Sequence, residues 1–115
     1  VVDDEETVRS VVAGMLNGLG HQVIEAKNGA QAVDLYRRHK EQISGVLLDL
    51  MMPDMDGHDC LKALRRIDPQ VAAILVTGYG DDDRIRAMIQ DGLSGVLLKP
   101  FSMSDLRSAV ARIVP

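Results

Sequence analysis

Side chains that could form a phosphoryl-transfer site occur at four places in this 115-residue sequence, namely Asp3-Asp4, Asp49, Thr77 and Lys99. If they meet, ionised carboxylates about 4 Å apart repel one another by roughly 4 kcal/mol per pair at an effective dielectric constant of about 20, and a divalent cation removes that repulsion. Oxygen ligands without paired His or Cys favour Mg²⁺ over zinc, and Mn²⁺ could take its place. Such a cation keeps positions open for phosphoryl oxygens, which Lys99 and Thr77 suit as partners.

Each of these places follows an apolar run that predicts a buried strand. Residues 46–48 are apolar without alternation, as in a parallel sheet covered on both faces, and the turn-forming residues 53–57 end this strand near Asp49. Similar apolar runs precede the other three places, at residues 1–2, 72–76 and 96–98. Because the carboxyl ends of parallel strands share one edge, where open α/β sheets bind ligands, we expect the four places to meet there.

Amphipathic segments between the strands predict helices. Residues 7–19 and 57–67 are two of them, further helices are centred on Leu35 and Met88, and the last begins at Ser102 or Ser104. The inward positions expected for the first and fourth helices are Val8, Val11, Val12, Met15, Leu16 and Leu19, and Ile85, Met88 and Ile89. With a short strand at residues 23–26, strand and helix alternate five times. This order predicts a five-stranded parallel doubly wound sheet with five helices.

Size and composition predict one domain over residues 1–115, with 46% hydrophobic and 26% charged residues. A net charge of −4 argues against nucleic-acid binding, and no apolar run is long enough to span a membrane. The single cysteine, Cys60, excludes an internal disulfide and suits a reducing compartment, so we expect a cytoplasmic domain. Val1 and Val2 stand directly before two acids, which predicts that the start of the first strand is missing and that the chain was excised from a longer one.

Several motifs occur in a fixed order along the chain, namely Asp3-Asp4, the run from Asp49 to Gly57, Thr77-Gly78 and Lys99-Pro100-Phe101. Asp49 lies 45 residues after Asp4, Thr77 28 after Asp49, and Lys99 22 after Thr77. Together these motifs resemble the receiver domain of two-component response regulators and hybrid sensor histidine kinases. The resemblance covers essentially the whole chain. It implies a flavodoxin-like, three-layer α/β/α fold with strand order 2-1-3-4-5.

The resemblance implies a role for each acidic residue. Asp49 would be the phosphoacceptor, taking a phosphoryl group from a histidine of a sensor kinase or a histidine phosphotransfer protein. Asp4 would bind Mg²⁺ directly and Asp3 partly through water. Asp49 and the backbone carbonyl of Met51 would complete the protein's share of the ligands.

The same resemblance implies a switch. Lys99 would contact Asp49 at rest and a phosphoryl oxygen after transfer, and Thr77 would move towards the phosphoryl group. The Lys99–Pro100 peptide bond would be cis, a state that the tertiary amide of proline allows. The added charge would shift an equilibrium between two surface arrangements, with a phosphorylation-dependent homodimer as one possible result. The isolated domain would catalyse only its own phosphorylation and dephosphorylation and would not be a turnover enzyme.

Three positions concern the switch and the lifetime of the phosphorylated state. Receiver domains usually carry an aromatic residue three positions before the lysine, and this sequence has Val96 there. A valine has no comparable swing, so we expect a weaker or different switch on that face. Met51 and Tyr79, each two residues after a motif residue, occupy positions that tune phosphoryl lifetime in the family. Both are bulky, which favours a long-lived acyl phosphate.

Two other classes of function stay open. A phosphohydrolase or phosphotransferase with an aspartyl-phosphate intermediate commonly has a general acid two residues after its nucleophile, where this sequence has Met51. A pseudo-receiver, an interaction module without phosphorylation, is disfavoured by the complete set of motif residues but favoured by Val96. The sequence leaves open whether the domain stands alone, belongs to a transcription factor or belongs to a hybrid kinase. It also leaves open which kinase, signal and output it serves.

Overall fold

A parallel sheet forms the centre of the protein. The computed structural model describes residues 1–78 and 83–114. The sheet contains β1 (Val46–Asp49), β2 (Ala73–Thr77) and β3 (Gly95–Leu98), in the order β1-β2-β3. Every residue of β1 and β2 is buried, because helices cover both faces, and this burial is the physical reason why their sequences do not alternate.

Val2 extends this arrangement beyond β1. It forms parallel bridges with Leu48 of β1 on one side and with Ala26 on the other. The backbone order therefore runs from Ala26 through Val2 to β1, β2 and β3, in agreement with the expected flavodoxin-like order 2-1-3-4-5. The strand expected at residues 23–26 is reduced to the single bridge at Ala26, and the first strand likewise to the bridges of Val2.

Helices flank the sheet in the described part of the chain, and each begins or ends at an identifiable cap. Their bounds are α1 (Glu6–Gly18), α2 (Gly29–His39), α3 (Gly57–Ile67), α4 (Asp83–Gln90) and α5 (Met103–Val110), with a 3₁₀ turn at Lys40–Gln42. Asn28, Asp56 and Ser102 cap α2, α3 and α5 by accepting a backbone N–H three residues further on. Gly20 and Gly92 follow α1 and α4 with φ angles of 93° and 96°, the left-handed conformation that commonly ends a helix.

Two hydrophobic cores lie on opposite faces of the sheet and make the fold three-layered. Helices α1 and α5 share one core with the strand residues Leu47, Ile74 and Val76. Helices α2, α3 and α4 share the other core with Leu48 and Leu75. Neighbouring strand residues thus serve opposite cores, as the alternation of side chains along a strand requires.

Two residues expected to point inwards are exposed. Val11 in α1 is 56% exposed and Ile89 in α4 is 54% exposed. Each stands next to a buried residue, Val12 or Met88, and one step along a helix turns the side chain by about 100°. The face that contacts the sheet is narrower than the apolar stripe of the sequence, so the inward placement of Val11 and Ile89 was wrong.

A cavity of about 510 Å³ opens at the amino ends of the strands. Val1, residues 22–24 and residues 42–46 form part of its lining. Within residues 1–78 and 83–114, no helix is long and apolar enough to cross a membrane.

Candidate functional site

The strand ends bring the predicted side chains to one edge of the sheet. Asp49 is the last residue of β1, Thr77 is the last residue of β2, and Lys99 follows β3 directly. Asp3 follows the bridged residue Val2. The backbone N–H of Lys99 donates to the carbonyl of Thr77 at 2.9 Å, which holds the ends of β2 and β3 together.

Three carboxylates and one ammonium group meet at this edge. Carboxylate oxygens of Asp3, Asp4 and Asp49 lie within 4.8 Å of one another, with Asp3 and Asp49 buried and Asp4 exposed. Lys99 Nζ lies 3.8 Å from Asp3 Oδ2 and 4.0 Å from Asp49 Oδ1. The contact expected between Lys99 and Asp49 is therefore shared with Asp3, and a single ammonium group faces two buried carboxylates.

The electrostatics of the cluster disfavour the ionised form of Asp49. Burial, and secondly the charge of Asp3, raise the pKa of Asp49 from 3.8 to about 6, although the Lys99 ammonium and the Leu50 N–H act in the opposite direction. That N–H donates to Asp49 Oδ1 at 2.9 Å, and the Glu5 N–H donates to Asp3 Oδ1 at 2.9 Å. Crowded carboxylate oxygens that open to solvent at Asp4 are a donor set suited to a hard divalent cation.

The start of α3 is pressed against the backbone of the strand that carries Asp49. The Gly57 N–H donates to the Leu50 carbonyl at 2.7 Å. A Cβ atom at position 57 would lie 2.6 Å from the Asp49 carbonyl oxygen and 3.0 Å from Leu50 Cα. Because neither of these backbone atoms can move aside, this close approach requires glycine.

The remaining predicted residues occupy different surroundings. Met51, in the loop after β1, has a half-exposed side chain, whereas Thr77 is 1% exposed. Val96 in β3 is partly buried against the core of α2, α3 and α4. The Lys99–Pro100 peptide bond is cis. Tyr79 lies outside the described residues.

Two further residues near the site make contacts that the sequence did not indicate: Asp54, expected only as a turn former, and Arg84, which was given no role. Asp54 accepts hydrogen bonds from the backbone N–H groups of Gly29, at 3.1 Å, and Ala30, at 2.8 Å. Arg84 in α4 contacts Met51. Asp54 is 24 or 25 residues from its partners, and Arg84 is 33 residues from Met51. No local pattern signals contacts over such separations.

Fold and site define a three-layer α/β domain with an acidic pocket at the carboxyl edge of its sheet. The response regulator receiver domain family matches residues 1–111, and the chain belongs to this family. It is therefore a receiver domain of the kind found in response regulators and hybrid kinases of two-component signalling.

Relatives and solved structures agree with this assignment. The chain is 34% identical to sporulation initiation phosphotransferase F of Bacillus subtilis over 115 residues, covering 100% of this chain and 91% of the relative. It is 33% identical to the sensor kinase CckA of Brucella abortus over 114 residues, covering 99% of this chain but only 12% of that kinase.

Among solved structures, a receiver domain protein from Clostridium thermocellum superposes with a TM-score of 0.93 at 28% identity, covering 98% of this chain and 90% of that one. A CheX–CheY–BeF3–Mg²⁺ complex from Borrelia burgdorferi superposes with a TM-score of 0.89 at 26% identity, covering 95% of this chain and 82% of that one.

Membership of this family implies several general properties. Receiver domains are signalling domains rather than conventional enzymes. They bind Mg²⁺ through an acidic pocket, and the cluster of Asp3, Asp4 and Asp49 could hold a metal ion. They interact with histidine kinases or phosphotransfer proteins.

Proposed function

We propose that Asp49 is the residue of this receiver domain that accepts a phosphoryl group. The observation that carries the proposal is the position of its buried carboxylate, within 4.8 Å of Asp3 and Asp4 and 4.0 Å from Lys99 Nζ. Within residues 1–78 and 83–114, no other three His, Cys, Asp or Glu side chains come as close together. Asp49 also ends a central strand, at the edge where open α/β sheets bind ligands.

The reaction exchanges one phosphorus bond for another. A carboxylate oxygen of Asp49 attacks the phosphorus atom of a partner's phosphohistidine, a P–O bond forms, and the P–N bond breaks. The imidazole leaves as a neutral group because its second nitrogen carries a proton. Hydrolysis by water later returns the carboxylate and inorganic phosphate. The domain mainly positions charge for this transfer, so it acts as a substrate that catalyses its own phosphorylation and dephosphorylation.

Asp3, Asp4, Asp49 and the Met51 carbonyl would hold the cation. When bound, Mg²⁺, or Mn²⁺ in its place, neutralises charge on the carboxylates and on the transferring phosphoryl oxygens. The three carboxylates supply oxygen atoms only, and the exposure of Asp4 leaves a path for solvent and phosphoryl oxygens. Because the pKa of Asp49 is raised to about 6 without a cation, cation binding favours the ionised carboxylate that attacks phosphorus.

Lys99 and Thr77 would respond to the new group. Lys99 shares its charge between Asp3 and Asp49, so a phosphoryl group on Asp49 gives it a more negative partner. Thr77, at the end of the neighbouring strand, would turn its hydroxyl towards that group. We expect a weak response at Val96, which carries no ring, and a long lifetime of the acyl phosphate because Met51 and Tyr79 are bulky.

The partner would be a sensor histidine kinase or a histidine phosphotransfer protein. The resulting change in shape would control an output domain, a target protein or pairing with a second copy of the domain. A cytoplasmic location stays our expectation, because the free thiol of Cys60 suits a reducing compartment.

Mass spectrometry of the intact protein tests the proposal. After incubation with acetyl phosphate and Mg²⁺, we expect a gain of about 80 Da, the mass of one phosphoryl group. The gain should be removed by hydroxylamine, which cleaves acyl phosphates, and should be absent from Asp49→Ala. Decay of the same signal after removal of the donor measures the lifetime. A gain that persists in Asp49→Ala would show that another residue is modified.

A pseudo-receiver is the second candidate, and Val96 is the observation that favours it. The CheY complex from Borrelia burgdorferi contains BeF3 and Mg²⁺, so the same reagent can probe this chain. Tight binding of beryllofluoride that depends on Mg²⁺ and Asp49 would support the phosphoacceptor. A folded protein that neither binds beryllofluoride nor gains mass would support the pseudo-receiver.

A further inference from the structure

Arg84, the second residue of α4, reaches from that helix to the loop that follows Asp49. Its Nη2 donates a hydrogen bond to Met51 Sδ at 3.1 Å, and its Nη1 lies 3.4 Å from Asp56 Oδ2. The side chains of Arg84 and Asp56 are 36% and 27% exposed, so water competes for this contact only in part. One guanidinium group thus contacts both ends of residues 51–56.

Both contacted residues border the Asp49 site. Met51 lies two residues after Asp49, and its carbonyl is a proposed cation ligand. Asp56 caps α3 by accepting the Asp59 N–H on Oδ1 at 2.8 Å, which leaves Oδ2 for Arg84. The planar guanidinium can hold these two acceptors with separate nitrogen atoms, and a lysine ammonium could not reproduce that geometry.

The opposite side of the same loop is attached to α2. Asp54 accepts the N–H groups of Gly29 and Ala30, and Met55 packs so closely over Gly29 that a Cβ atom there would overlap its side chain. With α2 on one side, Arg84 connects the loop to α4 on the other. The conformation of the loop thus depends on helices that carry none of the motif residues.

We propose that Arg84 is a positioning residue for the Asp49 site, because its simultaneous hold on Met51 and Asp56 fixes the loop whose Met51 carbonyl binds the cation. The inference rests on the proposed function and adds α4 to the parts that determine cation affinity. The hydrogen bond to Sδ also restrains the half-exposed side chain of Met51, two residues after Asp49, and we expect its bulk to limit the access of water to the acyl phosphate.

A simple charge effect and a positioning role predict opposite changes in Mg²⁺ affinity when Arg84 is replaced. Removal of a positive charge near a cation site should strengthen Mg²⁺ binding through long-range electrostatics. Loss of the hold on Met51 should weaken it, because a displaced carbonyl ligand no longer meets the cation. The sign of the change in affinity therefore distinguishes a positioning role from a simple charge effect.

The experiment compares Arg84→Ala with the wild type and with two matched controls. Arg86→Ala removes an equal charge from the same helix, where the side chain is 82% exposed and pairs only loosely with Asp83 at 3.8 Å. Asp91→Ala removes another polar contact beside these helices, the 2.7 Å contact to His58 Nε2 in α3 from Oδ2 of Asp91, the residue directly after α4. Neither control residue has a described contact with residues 51–56.

Two quantities are measured on each protein. Calorimetric titration without a phosphodonor gives the Mg²⁺ dissociation constant, and loss of the phosphoryl mass gives the lifetime of the acyl phosphate. For Arg84→Ala we expect Mg²⁺ binding weakened by roughly threefold to tenfold, at or below the lower end of the effects seen for groups that orient metal ligands. We also expect faster hydrolysis, with Arg84→Lys restoring little of either. The two controls should bind Mg²⁺ as the wild type does, or slightly more tightly for Arg86→Ala.

A double-mutant cycle with Met51→Leu isolates the contact itself, since leucine keeps the bulk but removes the sulfur acceptor. The lifetime effect of Arg84→Ala should be smaller in that background. Unchanged or tighter Mg²⁺ binding in Arg84→Ala would overturn the inference while leaving the proposed function intact. Equal weakening in Asp91→Ala would overturn it as well, because loosening of α4 alone would then explain the result. A wild type that binds no Mg²⁺ would instead contradict the proposed function, and this inference with it.

Discussion

Single residues at the site are arranged for ligand binding at the expense of stability. Asp49 is buried beside Asp3, and Lys99 offsets only part of their repulsion. Burial and the charge of Asp3 raise the pKa of Asp49, which means that the folded protein favours the protonated carboxyl group. Charged groups held in such an unfavourable state are a common feature of functional sites. The cost of burying ionised Asp49 should be measurable as a pH-dependent loss of stability.

Asp49→Asn should therefore stabilise the protein in metal-free buffer near neutral pH. The pKa of Asp49 is raised from 3.8 to about 6, so ionised Asp49 lowers the free energy of unfolding progressively as pH rises from about 4 to 6, and fully above that. We expect the variant to gain about 2 kcal/mol at pH 8 and much less at pH 4. Urea unfolding at both pH values measures the difference.

Asp59→Asn is the control for that measurement. Asp59 is an exposed acid in the first turn of α3 and lies outside the cluster, so its loss changes the net charge equally. We expect a small loss of stability from Asp59→Asn, because a negative charge favours the start of a helix. Equal gains in both variants would mean that overall charge, and not the cluster, determines the effect.

At the scale of elements, the end of β1 and the start of α3 are in direct backbone contact. Gly57 brings α3 into contact with the backbone of Asp49 and Leu50, and Asp56 caps the helix at the same point. The orientation of α3 is thereby coupled to the carboxylate of Asp49. Asp54 and Arg84 attach the connecting loop to two further helices. Several elements therefore determine the geometry of one short loop.

Gly57→Ala tests this junction. The added Cβ would meet the Asp49 carbonyl oxygen at 2.6 Å, so α3 or β1 must shift. We expect a loss of about 1–3 kcal/mol in the free energy of unfolding, together with weaker Mg²⁺ binding. Gly14→Ala in α1 is the matched control, because no atom lies within 4 Å of its added Cβ. That control should gain up to about 1 kcal/mol from helix propensity, and a loss as large as that of Gly57→Ala would contradict the steric explanation.

At the scale of the whole molecule, the site must communicate with a surface. Thr77 and Val96 lie on the adjacent strands β2 and β3, where Val96 is paired with Leu75, two residues before Thr77. Val96 packs against the core of α2, α3 and α4. A change at Thr77 has a short path to this position, but valine lacks a long side chain that could change places with a neighbour. The conformational response should therefore stay close to Thr77, at the carboxyl ends of the strands.

NMR spectra with and without beryllofluoride and Mg²⁺ test this expectation. Amide resonances around Thr77 should shift strongly, and those around Val96 weakly. A Val96→Tyr variant, which adds the ring that this position lacks, should extend the large shifts to β3 if the missing ring is the reason. Shifts around Val96 as large as those around Thr77 in the wild type would show that the switch does not need an aromatic residue.

The sequence by itself determined the elements and the motif positions. Apolar runs that stop on Asp49, Thr77 and Lys99 predicted strands ending at one edge, and the structure places all three residues there. The bounds of α3 agreed with the expected residues 57–67 because Asp56, Gly57 and Asp68 are local signals. Neighbouring residues are enough to predict the boundary of an element where they include a helix cap or end an apolar strand.

Only the tertiary structure decided how these elements meet. The width of the buried face of α1 and α4, the sharing of Lys99 between Asp3 and Asp49, and the contact of Arg84 with Met51 all depend on packing between distant segments. Such contacts leave no periodic or local pattern, because their free energy comes from geometry in the folded chain. The residues that could carry the chemistry could therefore be predicted from the sequence. The groups that hold them in position could be identified only from the tertiary structure.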